Sequence, residues 1–71
     1  MEEKARSIIR AYAESSPKIP AHRRVLYKEE IQAILETKGF KKGEVPDVLK
    51  NLITEGFLDK INGSAFKIRA A

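Results

Sequence analysis

The segment from Gly43 to Arg69 constrains the fold more than any other part of the chain. Val45, Val48, Leu49, Leu52 and Ile53 recur at i, i+3, i+4, i+7 and i+8, which puts them on one face of a helix. Pro46 falls in the first turn, where its missing N–H has no intrahelical acceptor to lose. Gly56 supplies the stop. Phe57 to Ile61 and Ser64 to Arg69 then read as two strands joined by Asn62-Gly63, a signal for a type I′ hairpin, whose turn needs positive φ twice. The expected register sets Ile61 opposite Ser64, Asp59 opposite Phe66 and Phe57 opposite Ile68. Phe57, Phe66 and Ile68 then cover the helices, while Leu58, Lys60, Lys67 and Arg69 share the outward face. A slip of one residue would exchange the two faces.

Upstream, Ala5, Ile8, Ile9 and Tyr12 line one side of a helix over Glu2 to Ala13, with Glu2 and Glu3 at the positive end of its dipole. Ser15-Ser16-Pro17 ends it, because proline has no amide to donate and disfavours helical geometry in the residue before it. Ser15 to Arg24, with two prolines and no periodicity, is a loop. Val25-Leu26-Tyr27 is a short β-prone run. Lys28 to Lys38 carries Ile31, Ile34 and Leu35 on one side and stops at Gly39. Glu29 and Glu30 open that helix, although no good N-cap residue precedes them. Phe40 plugs the core after the stop, and Lys41-Lys42-Gly43 forms the turn into the third helix.

A chain of 71 residues has room for one domain, residues 1–71, with one small core. Cysteine is absent, which excludes zinc fingers, redox motifs and thiol chemistry together. No apolar run approaches the ~20 residues of a membrane span and Met1-Glu2-Glu3-Lys4 is no signal-peptide core, so a cytoplasmic protein without a membrane partner is expected. His22, the one histidine, has no second ligand beside it and reads as a surface residue. Tyr12 and Tyr27 read as core-edge aromatics. There is no nucleophile–base pair, phosphate-cradling glycine loop or carboxylate pair in a plausible cleft, so neither enzymatic activity nor a cofactor or metal is expected.

The order helix, short strand, helix, turn, helix, two-stranded wing spans nearly the whole chain. It resembles the winged helix-turn-helix superfamily, and Val45-Pro46-Asp47-Val48-Leu49-Lys50-Asn51-Leu52-Ile53-Thr54-Glu55-Gly56-Phe57-Leu58 looks like that family's third helix running into its wing. The resemblance implies an α+β fold: three helices with a small antiparallel wing sheet of two to three strands. Two narrower likenesses concern partners. The wing and its lead-in helix are similar to the C-terminal winged helix of archaeal replicative MCM helicases, a regulatory appendage. The length and layout are similar to the small D protein of dissimilatory sulfite reductase, a stand-alone winged helix with a regulatory role, with Tyr27 and Phe66 at its aromatic positions and Ser64 in the wing.

Most domains of this shape bind double-stranded DNA, with the third helix in the major groove and the wing on phosphates or the minor groove. The 14 Lys and Arg against 10 Asp and Glu, for a formal charge of +4 and a pI near 9.6, favour acidic partners. The exposed face of the third helix, however, offers Glu44, Asp47, Lys50, Asn51, Thr54 and Glu55, an acidic set. Asn51 suits adenine and Lys50 suits guanine or phosphate, but Asp47 one turn earlier would repel the backbone. Basic charge gathers instead in Arg23 and Arg24 before the strand, Lys41 and Lys42 in the turn, and Lys60, Lys67 and Arg69 on the wing. Phosphate contact needs only charge near the backbone, so a DNA-binding regulator holding phosphates through these residues is the first reading. For any one of them, keeping a small domain soluble explains it as well.

The alternative is a protein-interaction winged helix that docks on a larger enzyme or replication complex through the acidic face of helix three, without reading DNA. Sequence-specific readers are commonly symmetric dimers. A homodimer through the first helix therefore stands beside a monomer.

Overall fold

Three helices and a three-stranded antiparallel sheet make up the computed structural model, which describes residues 2–15, 18–20 and 23–69. Helix α1 spans Glu3–Glu14, strand β1 Leu26–Tyr27, helix α2 Lys28–Thr37, helix α3 Val45–Thr54, strand β2 Leu58–Asn62 and strand β3 Ala65–Ile68. This is the α+β, winged-helix-like architecture expected from the element order. The Ser16-Pro17 stop and His22 lie outside the described residues. Among the described residues, no helix is long and apolar enough to cross a membrane.

One core serves every element. Ala5, Ile9 and Ala13 of α1 meet Ile31 and Leu35 of α2, the buried face Val45, Val48, Leu49 and Leu52 of α3, and Phe57, Leu58, Phe66 and Ile68 around the sheet. Ile8, Tyr12, Ile34, Phe40 and Ile53 pack on its margin. Tyr27, expected beside Tyr12 at the core edge, stands 55% exposed.

The two helix stops are built alike. At Gly39 (φ 100°) and Gly56 (φ 85°) the chain turns left-handed. Each glycine is followed by a phenylalanine whose N–H returns to a helix carbonyl, Phe40 to Leu35 at 3.1 Å and Phe57 to Leu52 at 3.0 Å. The glycine N–H groups close the inner bonds, to Glu36 at 3.2 Å and Ile53 at 3.1 Å, so both ends are Schellman motifs with an aromatic sent into or onto the core. The turn between α2 and α3, expected at Lys41–Gly43, is a 3-10 turn at Lys42–Glu44.

Helix α2 begins without a capping hydroxyl, and Glu30 makes up for it. Its Oε1 accepts the Tyr27 N–H at 3.0 Å, the reach-back half of a capping box. Its Oε2 accepts the Tyr12 hydroxyl, which ties α1 to α2. These donors, the Tyr12 hydroxyl foremost, hold the Glu30 carboxyl below its ordinary value of 4.5, and the same bond raises Tyr12.

The sheet has the order β1-β3-β2, with β3 in the centre. Leu26 pairs with Phe66 and Tyr27 with Ala65; on the other side Leu58 pairs with Ile68, Asp59 with Lys67 and Lys60 with Phe66. The hairpin register is therefore displaced by one residue from the expected one. Asn62 pairs with Ala65, and Ile61 is an extra, bulged residue in β2. The loop is Gly63-Ser64, and neither Asn62 nor Gly63 has positive φ, so this is no type I′ turn. The physical reason is the Asn62 side chain. Its Oδ1 accepts the Ser64 N–H at 2.9 Å, an Asx turn that reverses the chain without left-handed residues. The slip turns Leu58 into the core, 1% exposed, and puts Lys60 on the side of Phe66 and Ile68. Lys60 is thus separated from Lys67 and Arg69, with which it was expected to face outward.

Two outcomes test this account. Ala at Gly56 or Gly39 must carry a side chain at φ near +90°, and Gly56→Ala also brings a Cβ to 3.3 Å from Arg69 Nη1. Each substitution is expected to cost about 1–2 kcal/mol in urea unfolding, from the left-handed strain. For Glu30, a lowered folded pKa means the unfolded chain takes up its proton first. Its contribution to stability is present above the ordinary value of 4.5 and is lost as pH falls through the folded value. Unfolding midpoints followed into acid should therefore fall less steeply for Glu30→Gln than for the parent.

Candidate nucleic-acid interface

Helix α3 and the hairpin enclose an open groove of about 360 Å³. Pro46, Leu49, Ile53 and Thr54 of α3 line it, together with Phe66 of the central strand and Gly63 of the turn. Three cations line it: Lys50 from α3, Lys60 from β2 and Lys28 from the start of α2. Among the described residues no carboxylate lines it, so positive charge stands there beside apolar side chains.

Local structure places each lysine. Lys50 lies one residue after Leu49 and projects from the exposed shoulder of α3 while Leu49 is buried. Lys60 reaches the groove because of the register just described, which pairs it with Phe66. Lys28 is held by its own backbone. Its N–H donates to the Ser64 carbonyl at 2.8 Å, which fixes the first residue of α2 against the wing turn. Lys28 was not among the contacts expected from the sequence, where it stands only as the first residue of the second helix. The signal available was its position, since a lysine on the first turn stands at the wrong end of the helix dipole.

Of the other expected contacts, several are engaged elsewhere. Asn51 donates from Nδ2 to Glu2 Oε2 at 2.9 Å, so its amide faces the start of α1. Arg24 donates to the Tyr12 carbonyl at 3.1 Å and stacks its guanidinium 4.7 Å from the Tyr12 ring centre, closing the end of α1. Arg69 is bound to Asp59 through Nε at 2.9 Å and Nη2 at 2.8 Å, and Lys67 pairs across from the same Asp59. These two lie on the sheet face away from Lys60. Arg23, Lys41 and Lys42 are exposed, but they do not line the groove.

The acidic character expected of the α3 face is also reduced. Glu55 forms an ion pair with Arg6 of α1. Glu44 Oε1 accepts the Lys41 N–H at 2.7 Å and caps the 3-10 turn. Asp47 and Thr54 remain exposed on α3, with the Thr54 hydroxyl donating to the Lys50 carbonyl at 2.9 Å. The groove side of α3 is thus basic, and on the opposite side Asn51 and Glu55 are bonded to Glu2 and Arg6.

Comparison with protein-family models, with curated proteins and with solved structures finds no match to this chain.

Proposed function

We propose that this chain is a small, non-enzymatic winged-helix protein of the cytoplasm that holds double-stranded DNA, as a regulator of transcription or of another DNA-associated process. The observation that carries the reading is the convergence of Lys28, Lys50 and Lys60, from three separate elements, on one groove that no carboxylate lines among the described residues. Convergent ammonium groups on a surface concavity suit a phosphate backbone, which needs positive charge at contact distance and no base-specific geometry. Arg23, Lys41 and Lys42 add exposed charge outside the groove. Base readout by α3 would be slight, because Asn51 is already bonded to Glu2 and Asp47 opposes approach to phosphate.

Docking on a protein partner through α3 is the weaker reading. Two of the side chains it relies on, Asn51 and Glu55, are bonded to α1 instead.

Fluorescence anisotropy on a random-sequence duplex tests the proposal. The parent protein is expected to bind at about 50 mM salt, with affinity falling steeply as salt rises. Replacing Lys28, Lys50 and Lys60 together by Ala should reduce the slope of log affinity against log salt by roughly 2–3, since each lost phosphate contact removes about 0.9. Lys67→Ala with Arg69→Ala should leave that slope within about one contact of the parent. A parent protein that fails to bind at low salt, or a triple variant that binds equally well, would sink the reading.

A further inference from the structure

Helices α1 and α2 leave a second groove between them, about 700 Å³, which shares no lining residue with the groove beside α3. The two helices run antiparallel. Tyr12 near the end of α1 is bonded to Glu30 near the start of α2. At the opposite end the Lys4 ammonium, from the first turn of α1, lies 5.7 Å from the ring centre of Phe40, just past α2. Ile8, Ala11 and Tyr12 of α1 with Ile34 of α2 make most of the lining apolar. Ala11 is exposed, and Ile8 and Ile34 are half-buried at the margin of the core. Lys4 to Tyr12 spans about 12 Å of helix axis, a little over two turns.

Lys4 and Lys38, one from each helix, are the charged residues in this lining. Among the described residues neither is paired with a carboxylate. Lys4 also stands at the end of the α1 dipole that repels a cation, so an anion beside it would relieve that repulsion. The carboxylates nearest in sequence lie outside the lining. Exposed Glu3 is about 100° round α1 from Lys4, and Glu36 accepts from Gln32 Nε2 at 2.9 Å along α2. At the Tyr12 end Glu14 is exposed, Lys18 and Arg23 are exposed in the loop that follows, and none of the three lines the groove. Arg24 and Glu30 are both engaged by Tyr12. That end therefore has charge of both signs around it, whereas the end at Lys4 and Lys38 is lined by positive charge alone.

We infer that this groove seats an amphipathic helix of another protein, apolar where it covers Ile8, Ala11 and Ile34 and acidic where it reaches Lys4 and Lys38. A groove between two helices takes a third through apolar anchors at i, i+3 or i+4 and i+7, and two turns of such a helix match its length. Exposed Ser7 and Ala11 carry no long side chain to hold a helix away. Two ammonium groups at one end select carboxylates on the occupant and fix which way round it lies. A second copy supplies no such helix, because the apolar faces of α1, α2 and α3 are buried in their own core. It could offer only this same face, which no carboxylate lines among the described residues. A phosphate backbone would suit the lysines and leave the apolar lining uncovered.

The test is a peptide titration of the full chain, without DNA, followed in its amide correlation spectrum. The probe is a helical peptide of about three turns, with leucines at i, i+3, i+4 and i+7 and glutamates on both flanks. Its control is a scrambled peptide of the same composition, whose leucines no longer share a face. The probe should shift the amides around Ile8, Ala11, Ile34 and Lys38 with a Kd of roughly 10 µM to 1 mM, and the control should bind at least about fivefold more weakly. Lys4→Gln with Lys38→Gln should weaken the probe about three- to tenfold. Lys42→Gln with Lys67→Gln, the same change in net charge outside the groove, should leave it within about twofold. Ala11→Gln, from an exposed position that leaves the core intact, should weaken it about tenfold by holding the helix away. Duplex affinity should be the same in Ala11→Gln as in the parent, so this inference and the phosphate reading fail separately. Absence of shifts, equal binding of the scrambled peptide, or binding untouched by Ala11→Gln or by the Lys4 and Lys38 pair would overturn the inference. A dimer of the free chain that Ala11→Gln dissolves would assign the groove to a second copy, and a duplex that shifts these same amides would assign it to DNA; either result also overturns it.

Discussion

The backbone of Phe57 joins the two halves of the molecule. Its N–H closes α3 on the Leu52 carbonyl, its carbonyl accepts the Arg69 N–H at 2.8 Å, and its side chain is buried. Gly56 makes this possible by turning left-handed just before it. Because one residue ends the helix and also receives the last bond of the hairpin, the wing has no free hinge relative to α3. The spacing of α3 and the wing follows from that junction and from Leu58 and Ile68, which are buried in the core that both share.

Contacts distant in sequence then decide the electrostatics of α3. Glu2, just before α1, and Arg6, on its first turn, are bonded to Asn51 and Glu55. Surface pairs of this kind add little stability. They do orient charge, however, by engaging an amide and a carboxylate on the flank of α3 that faces α1. The other flank, with Lys50, faces Lys28 and Lys60. The domain thus separates its charges around one helix, and the proposed phosphate contact depends on that separation more than on the overall charge.

Helices were legible in the sequence because burial imposes a period of 3.6, and Val45 to Ile53 repeats it without a break. The glycine stops were legible for the same kind of reason, since each local pattern has few backbone solutions. The hairpin register was not. Asn62-Gly63 points to a type I′ turn, and nothing local shows that the Asn62 side chain instead bonds Ser64 or that Ile61 is extra. Lys50 and Lys60 could be named as basic surface residues, but that they meet Lys28 in one groove depends on β1 pairing with β3 and on the bond from Lys28 to Ser64. Arg24, Asn51 and Arg69 were nameable as contact candidates, but their bonds to Tyr12, Glu2 and Asp59 were not legible, because those partners are set by tertiary packing.

The bulge at Ile61 has a consequence for the open sides of the sheet. Strand β2 is an edge, with one row of backbone groups not used by β3. An uninterrupted edge is a template on which another chain can add a strand. The extra residue breaks that row after Lys60, increases the local twist and leaves Ile61 48% exposed on a kinked segment. At the other edge β1 offers only Leu26 and Tyr27. Neither border presents a long flat ladder, so molecules crowded together are protected from joining sheet to sheet, and the same irregularity that obscured the register acts as a safeguard against aggregation.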